Sequence, residues 1–474
     1  MLGLWWLANP SDENVPYELP DHRVSGDFDA DGDGPWTLKV IGSLLFDSEI
    51  EFFKSLIPIT RQNSVIWGTN TDGECLSLFD TWQSSVSWQS SNPVGGVEDW
   101  HVSWYTSGHA WVTENQEINM VSIRFDVLDD WGSEHLIAGR DFTFEDGALH
   151  LPPPRSHSAS MDGISMTLHL GGELRPESGG YRASRFSSIE VADVIRLNQV
   201  VDEWVVPLQT LLEFLVGGPS RVTQIKVQLT DLGESPRRFL DLYPALLQSP
   251  VEPDSGRGQS NMLASKATLE DHGLSYSDLM SNYHILRQSV MHRTALQYIC
   301  HSQSRILDQS ADAEFLAVFR AAELYHGAAI GGTAIPPSDH YKRVADIVRG
   351  APKEWKSWVR DQIADSNRKG LKRQIDELAE RADDTGSSIR EVWPKFARHM
   401  AEYRAVAAHG QPTSSGDIGL RFHAGSMALR WLLRHVYLLE LGLSTAEANR
   451  LIQSSKGFGD DVQLLQEWQD RLAA

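Results

Sequence analysis

Two periodicities of apolar and polar positions follow one another along this chain. Over residues 1–249, short β-branched and aromatic runs alternate with polar positions and are punctuated by Gly, Asn and Ser. Trp36 to Phe46, Ser64 to Trp67, Cys75 to Phe79, Trp100 to Tyr105, Asn119 to Leu128, Ile164 to Leu170 and Arg221 to Leu229 read as strands. Asp72 and Gly73, between two of these runs, are a hairpin signal. Many short strands with such punctuation predict a mainly-β, sandwich-like or barrel-like domain. One long helix is expected inside it, Val191 to Gly218. Its apolar positions include Val194, Ile195, Val201, Trp204, Leu208 and Leu212, with a kink at Pro207 and an end at Gly217 and Gly218.

Past Pro250 to Ser260, a Pro, Gly and Ser stretch without apolar period, the spacing becomes helical. Asp312 to Ala329 carries a stripe at Phe315, Phe319, Ala322 and Leu324. Pro352 to Asn367 and Lys369 to Ala382 follow, the second with Leu371, Ile375 and Leu378 in step. Ile389 to His409 runs through Val392, Phe396, Met400 and Tyr403, then meets Gly410 and Pro412. Leu420 to Leu443 is apolar nearly all round, which predicts burial at a domain centre or subunit interface. The pattern therefore predicts an α+β chain in two parts: a mainly-β domain over 1–249, a linker over 250–261, and an all-α bundle over 262–474.

Composition sharpens this division. Hydrophobic residues make up 41% and charged residues 22% of 474 residues, ordinary values for a folded protein. The two cysteines, Cys75 and Cys300, offer neither a disulfide framework nor a Cys-rich zinc site, which suits a reducing compartment. The first residues, MLGLWWLANPSDE, have no basic region before their apolar positions and read as neither signal peptide nor anchor. No apolar run reaches the ~18 residues of a membrane span, so a soluble cytoplasmic protein is expected. The formal net charge is −22, which by itself speaks against a polyanionic partner. Its distribution says otherwise: residues 1–261 hold 16 basic and 38 acidic side chains, and residues 262–474 hold 26 of each.

Few motifs carry chemistry. Gly26 to Gly34, GDFDADGDG, begins like a calcium loop, yet the twelfth position counted from Asp27 or Asp29 is Leu38 or Val40 where a bidentate Glu is required. It reads as a solvated turn between strands. His101 and His109 lie in strand-like sequence beside Trp100, Trp104 and Trp111 and form no metal-binding spacing. Phosphate-loop, dinucleotide and nucleophile-elbow motifs are absent, and no metal or cofactor is expected.

Arg followed five positions later by His occurs at Arg287 and His292, Arg404 and His409, and Arg430 and His435; Arg320 and His326 are one residue wider. With 17 His and nearly twice as many Arg, chance alone produces such spacings. A five-residue offset turns two side chains about 140° apart on an ideal helix, so they converge only where the helix ends or where two chains meet. The 404 and 409 pair has that setting, because Gly410 and Pro412 follow at once and Ala405, Ala407 and Ala408 leave room between the two. Chemically the pair suits RNA strand cleavage. A histidine near its ordinary pKa exchanges protons with the 2′-hydroxyl or the leaving oxygen, and a fork-shaped arginine holds the scissile phosphate.

At these residues the chain resembles a known family. FLAVFRAAELYHG, the polar helices around EWKSWVRDQIADSNRKGLKRQIDELAERADD, FARHMAEYRAVAAHG and the closing ALRWLLRHVYLLELGL follow the order of HEPN ribonuclease domains. The segments GLWWLANP, HRVSGDF, VIWGTNTDGECLSLFD and WHVSWYTSGHAWV resemble the sheet domain that precedes HEPN in ApeA-like anti-phage proteins. The resemblance implies a cytoplasmic abortive-infection endoribonuclease that cleaves RNA without metal. It also implies a homodimer through the C-terminal helices and a phage-derived trigger met by the N-terminal domain. Arg404 and His409 match the family's Arg and His, Ala405 stands where many members have Asn, and Glu323 matches a position where such domains often carry an acid.

Residues 342–373 add an expected RNA grip. Ten basic residues, Lys342, Arg343, Arg349, Lys353, Lys356, Arg360, Arg368, Lys369, Lys372 and Arg373, stand against four acidic ones, with Trp355 and Trp358 interleaved. A rival reading is a non-catalytic dimeric assembly protein whose β domain recognises a phage protein or another ligand, for which Trp100, Trp104 and Trp111 would offer a binding face.

Overall fold

The computed structural model describes residues 1–8, 23–30, 36–44, 62–87, 96–132, 143–145, 148–150, 155–177, 180–230, 239–244, 263–304, 310–363, 366–409 and 418–473. The chain divides into two units, Met1–Gln209 with Ser220–Asp254, and Thr210–Pro219 with Ser255–Ala474. Residues 250–261, expected as a linker, lie outside the described residues.

Alternation governs the first unit. Its strands are β1 (Leu2–Leu7), β2 (Val24–Asp29), β3 (Trp36–Ile41), β4 (Gln62–Asn70), β5 (Cys75–Ser87), β6 (Val97–Val102), β7 (Trp104–Gly108), β8 (Glu117–Phe125), β9 (Thr143–Glu145), β10 (Ala148–His150), β11 (Arg155–Met161), β12 (Ile164–Glu177), β13 (Gly180–Arg196), β14 (Val222–Leu229) and β15 (Phe239–Pro244). Every second residue points inward, as with Val24, Gly26 and Phe28 in β2 and Trp36, Leu38 and Val40 in β3. The order β5-β4-β1-β2-β3-β6 is closed by a further β5–β6 pairing, so six antiparallel strands form a barrel. β5 can serve both the barrel and the rest of the sheet because it is long. Cys75 to Phe79 pair with β7, Asp80 takes a positive φ of 48°, and Trp82 to Ser87 pair with β6. From β7 the sheet runs on through β15, β14, β8, β13, β12 and β11, while β9 and β10 pair separately.

The barrel is filled by Trp5, Phe28, Trp36, Leu38, Ile66, Leu78 and Trp100, with Phe28 and Trp36 both edge-on to Tyr105 at 5.0 Å. Buried with them is the Glu98 carboxylate, which accepts hydrogen bonds from the Ser43 hydroxyl, the Leu44 N–H and Trp100 Nε1. The acidic GDFDADGDG segment lies at the β2–β3 connection, where Asp29 faces Thr37; residues 31–35 lie outside the described residues.

Two expectations for this unit need correction. Trp100 to Tyr105 is not one strand: it divides at Ser103, with β6 pairing β3 and β5 while β7 pairs β5 and β15. The helix expected from Val191 begins later, because Val191 to Arg196 complete β13, which pairs with β8 through Arg196. Sheet hydrogen bonds outweigh the local helical spacing there. A 3-10 turn at Leu197–Gln199 and a π turn at Val201–Val205 lead into the α-helix Val206–Val216. The irregular turns stand just ahead of Pro207, which lacks the N–H needed to continue a regular ladder. Gly217 ends the helix at a φ of 74°.

In chain order the helices are α1 (Leu128–Gly132), α2 (Val206–Val216), α3 (Lys266–Asp271), α4 (Tyr276–Gln288), α5 (Val290–Ser304), α6 (Ala311–Tyr325), α7 (Pro337–Gly350), α8 (Lys356–Ile363), α9 (Leu371–Arg381), α10 (Asp383–Val392), α11 (Phe396–His409), α12 (Ile418–Glu440), α13 (Thr445–Ser454) and α14 (Lys456–Ala473). The second unit is built on α6 and α12, whose facing residues Phe315, Phe319, Ala322, Leu429, Leu432 and Tyr437 are buried. Their close approach depends on Gly425, where an added Cβ would lie 2.8 Å from the Phe315 ring and 3.1 Å from Met400. Arg381 in α9 donates to the Tyr325 hydroxyl and to Glu440, tying α6, α9 and α12 together. The single helix expected over Ile389 to His409 is two, α10 and α11, because Pro394 follows Trp393 and breaks the ladder.

His435 sits in this core with no exposed surface, its Nδ1 2.8 Å from the Thr385 hydroxyl. Burial pushes its pKa down to about 4, against a smaller opposing pull from Asp383. A histidine with a lowered folded pKa stabilises the fold above its unfolded value of ~6.5, and that contribution fades as the pH falls toward the folded value. The helical unit should therefore lose up to about 2 kcal/mol between pH 6.5 and 5 from this group, read as a falling thermal midpoint of the far-ultraviolet dichroism. His435→Gln should flatten the slope, leaving the smaller parts owed to His292 and His399, which burial also lowers. In the barrel, Glu98→Ala leaves buried donors without an acceptor and should cost about 1–3 kcal/mol, measured by tryptophan-detected unfolding.

Candidate active site

Helix α11 carries Arg404 and runs to His409, whose side chain lies outside the described residues, as do residues 410–417. What sets the helix in place is Tyr403. Its ring lies 6.4 Å from Phe315 in α6 and 6.3 Å from Phe422 in α12, while those two rings stack at 5.4 Å. Arg404 is the next residue, turned about 100° away from this aromatic contact, and is partly exposed. Among the described residues it has no hydrogen-bond or ion-pair partner.

The rival pairs are occupied by packing. Arg430 donates to the buried Glu314 carboxylate at 2.5 Å, and its companion is the buried His435. Burial would raise Glu314, yet hydrogen bonding from His423 and the charge of Arg430 hold it below the usual carboxylate range. His292 contacts the Tyr437 hydroxyl at 3.3 Å, and Arg287 is itself engaged. Arg320 pairs with Glu323 at 3.3 Å, and His326 is buried against Glu377 at 2.8 Å. Of these four arginines, Arg404 is the one left unengaged among the described residues.

Glu323 lies on α6, eight residues beyond Phe315. Its carboxylate serves Arg320 on the same helix.

Other groups pack around Tyr403. Trp393 Nε1 donates to His399 Nδ1 at 2.7 Å, and the imidazole stacks on Tyr403 at 5.9 Å with 20° between planes. Because Nδ1 accepts, the neutral ring carries its proton on Nε2. Burial lowers the His399 pKa; Glu402 opposes this, while Lys395, Arg398 and Arg421 reinforce it. Burial likewise raises the Tyr403 phenol, with Arg421 of α12 pulling the other way. His399 and Arg421 thus both act on Tyr403, and the five-residue offset keeps His399 on the Tyr403 side of α11 and not on that of Arg404. A search for Arg preceding His passes over His399, which stands five positions before Arg404. The reversed spacing was its signal.

The basic segment separates into two sets. Lys369 and Arg373 hold Glu377 at 2.7 and 3.0 Å, and Lys372 holds Asp376. Burial acts to raise Glu377, but hydrogen bonds from Lys369, His326 and Arg373 bring it down to about 2. These cations are spent within the fold. Lys342, Arg343, Lys353, Lys356, Arg360 and Arg368 have no such partner among the described residues.

The sheet tryptophans form no exposed face together. Trp100 is fully buried in the barrel, Trp104 stacks on Phe79 at 3.9 Å, and Trp111 Nε1 donates to the Gly68 carbonyl. Among the described residues no helix is long and apolar enough to cross a membrane.

Comparison with known families agrees with this two-part layout. The family described as ApeA N-terminal domain 1 matches residues 1–275, and the family described as Apea-like HEPN matches residues 316–447, from α6 into α13. No curated protein and no solved structure matches the chain. The N-terminal match alone spans more than half of the sequence, and the helical match contains Arg404 and His409. The chain therefore belongs to the ApeA-like family of proteins with a C-terminal HEPN domain.

Proposed function

We propose that the protein is a metal-independent endoribonuclease of anti-phage defence, with Arg404 and His409 as its catalytic residues. Membership in the ApeA-like HEPN family supports a nuclease of that kind at the family level. The observation that carries the assignment to these residues is the partly exposed Arg404, without a partner among the described residues, on the helix that runs to His409, while the other Arg and His pairs are absorbed by packing. A guanidinium without an internal acceptor is available to a phosphate.

In the reaction, a neutral histidine takes the proton of the 2′-hydroxyl as its oxygen attacks the adjacent phosphorus. The 5′-oxygen leaves and takes a proton from a protonated histidine. One strand then ends in a 2′,3′-cyclic phosphate and the other in a 5′-hydroxyl. Arg404 stabilises the charge that builds on the non-bridging oxygens. A single His409 cannot be base and acid at the same instant, so two copies facing across a dimer of the C-terminal helices supply both. HEPN domains generally act as dimers on RNA. The acidic N-terminal unit is assigned to sensing an infection signal and restraining the nuclease until that signal binds.

Purified protein should cleave RNA equally with and without EDTA. Replacing either residue, in His409→Ala or Arg404→Ala, should lower the rate by at least about 100-fold. Unchanged cleavage in both variants would remove these residues from the mechanism. Restraint is tested by expressing residues 262–474, which leaves out both segments of the N-terminal unit, Met1–Gln209 and Ser220–Asp254. Greater toxicity than the full chain, abolished by His409→Ala, is expected; a soluble, helical fragment with equal or lower toxicity contradicts restraint.

A further inference from the structure

Between α6 and α9 the chain makes a two-helix excursion, α7 and α8, that is closed at its base. Asn367 accepts from the Ile335 N–H and donates to the Ile335 carbonyl, both at 3.0 Å. The Asn367 carbonyl accepts from the Ala334 N–H at 2.9 Å, and Thr333 bridges Arg368. Residues on either side of the excursion are thus fastened together. Within the arm the two helices α7 and α8 pack on each other.

This arm leaves large aromatic side chains in solvent. Trp355 is 56% and Trp358 58% exposed, their rings meeting edge-on at 6.0 Å, and Tyr341 is 73% exposed. Burying such surface is favourable wherever a partner exists, so exposed rings on a fixed arm mark a contact surface. The charges around them say which kind. Lys342, Arg343, Lys353, Lys356 and Arg360 share this arm and have no carboxylate partner among the described residues, whereas Arg349 is held by Asp346 at 2.8 Å. A chain of net charge −22 that gathers unpaired cations around open tryptophans offers a seat for a polyanion with planar rings.

We propose that this arm binds single-stranded RNA, the lysines and arginines holding phosphates while unpaired bases stack on Trp355 and Trp358. The proposal rests on the reading of RNA as the substrate and specifies its form. Ring faces are available to tryptophan only in bases that are not already stacked in a duplex, so the arm selects loops and unpaired strands.

The test uses the full chain and a fluorescein-labelled 2′-O-methyl oligonucleotide, which cannot be cut through a 2′-hydroxyl, either alone or annealed to its complement. Fluorescence anisotropy should show tighter binding of the single strand, with quenching of protein tryptophan emission. Trp355→Ala and Trp358→Ala should each weaken binding at least about fivefold, and Trp355→Tyr, which keeps a stacking face, should restore most of it. Changing Lys353, Lys356 and Arg360 to Gln should reduce the slope of log affinity against log salt by about 0.7 for each phosphate no longer neutralised. Equal binding of strand and duplex, or unchanged affinity in the Trp355 and Trp358 double variant, overturns the proposal. A change of molecular mass in that variant with RNA affinity intact would assign the arm to a protein contact instead. Binding without any cleavage of unmodified RNA by the wild type would count against the nuclease and leave the arm standing; cleavage with no effect of either tryptophan would do the reverse.

Discussion

The contact among Phe315, Tyr403 and Phe422 sets the position of the candidate site, since it fixes where α11 lies along α6 and α12. Gly425 is part of the same arrangement, because any side chain there would meet both Phe315 and Met400. Tyr403 points into this contact, and the helix geometry then turns Arg404 outward beside it. Among the described residues the arginine is therefore presented by packing rather than by a hydrogen bond of its own. That is a suitable arrangement for a group whose acceptor is a substrate: an internal carboxylate would have to be displaced before a phosphate could bind.

The same unit shows how charge is used when it is not free. Glu314 and Glu440 each take an arginine from another helix, Glu377 gathers Lys369 and Arg373 at the start of its own helix, and His435 is held neutral by burial. Such pairs consume the arginines and histidines that share the spacing of 404 and 409. The arm of α7 and α8 differs again: apart from Arg349, held by Asp346, its cations have no carboxylate partner among the described residues, and Trp355 and Trp358 stand in solvent. Within one neutral half of the chain, three kinds of cation can thus be told apart by their partners: those that fasten helices, one beside the candidate reaction centre, and those arrayed on the arm.

Much of the two-part fold was legible in the sequence, because the change from alternating to helical spacing is a direct consequence of side-chain direction in strands and helices. The stop expected at Gly410 and Pro412 lies outside the described residues. Other features depended on partners remote in sequence. Val191 to Arg196 has helical spacing but is claimed by β8, and nothing local announces that β5 will serve two sheet edges. Trp355 and Trp358 have the same spacing whether they face a core or solvent, so their exposure was invisible until α7 and α8 were seen to close on themselves. Glu323 was placed by resemblance, and its carboxylate accepts from Arg320 on the same helix. His399 gives no signal in a forward search because its order relative to Arg404 is reversed, and its tautomer is set by Trp393, six residues away across a proline break.

The central claim is that Arg404 and His409 cleave RNA through its own 2′-hydroxyl. The most direct measurement is end-group analysis of RNA cut by the purified protein in EDTA. The expected result is a 2′,3′-cyclic phosphate on one product and a 5′-hydroxyl on the other, with neither formed by His409→Ala. Products bearing 5′-phosphate and 3′-hydroxyl ends, or the same cyclic phosphate from the variant, would contradict it.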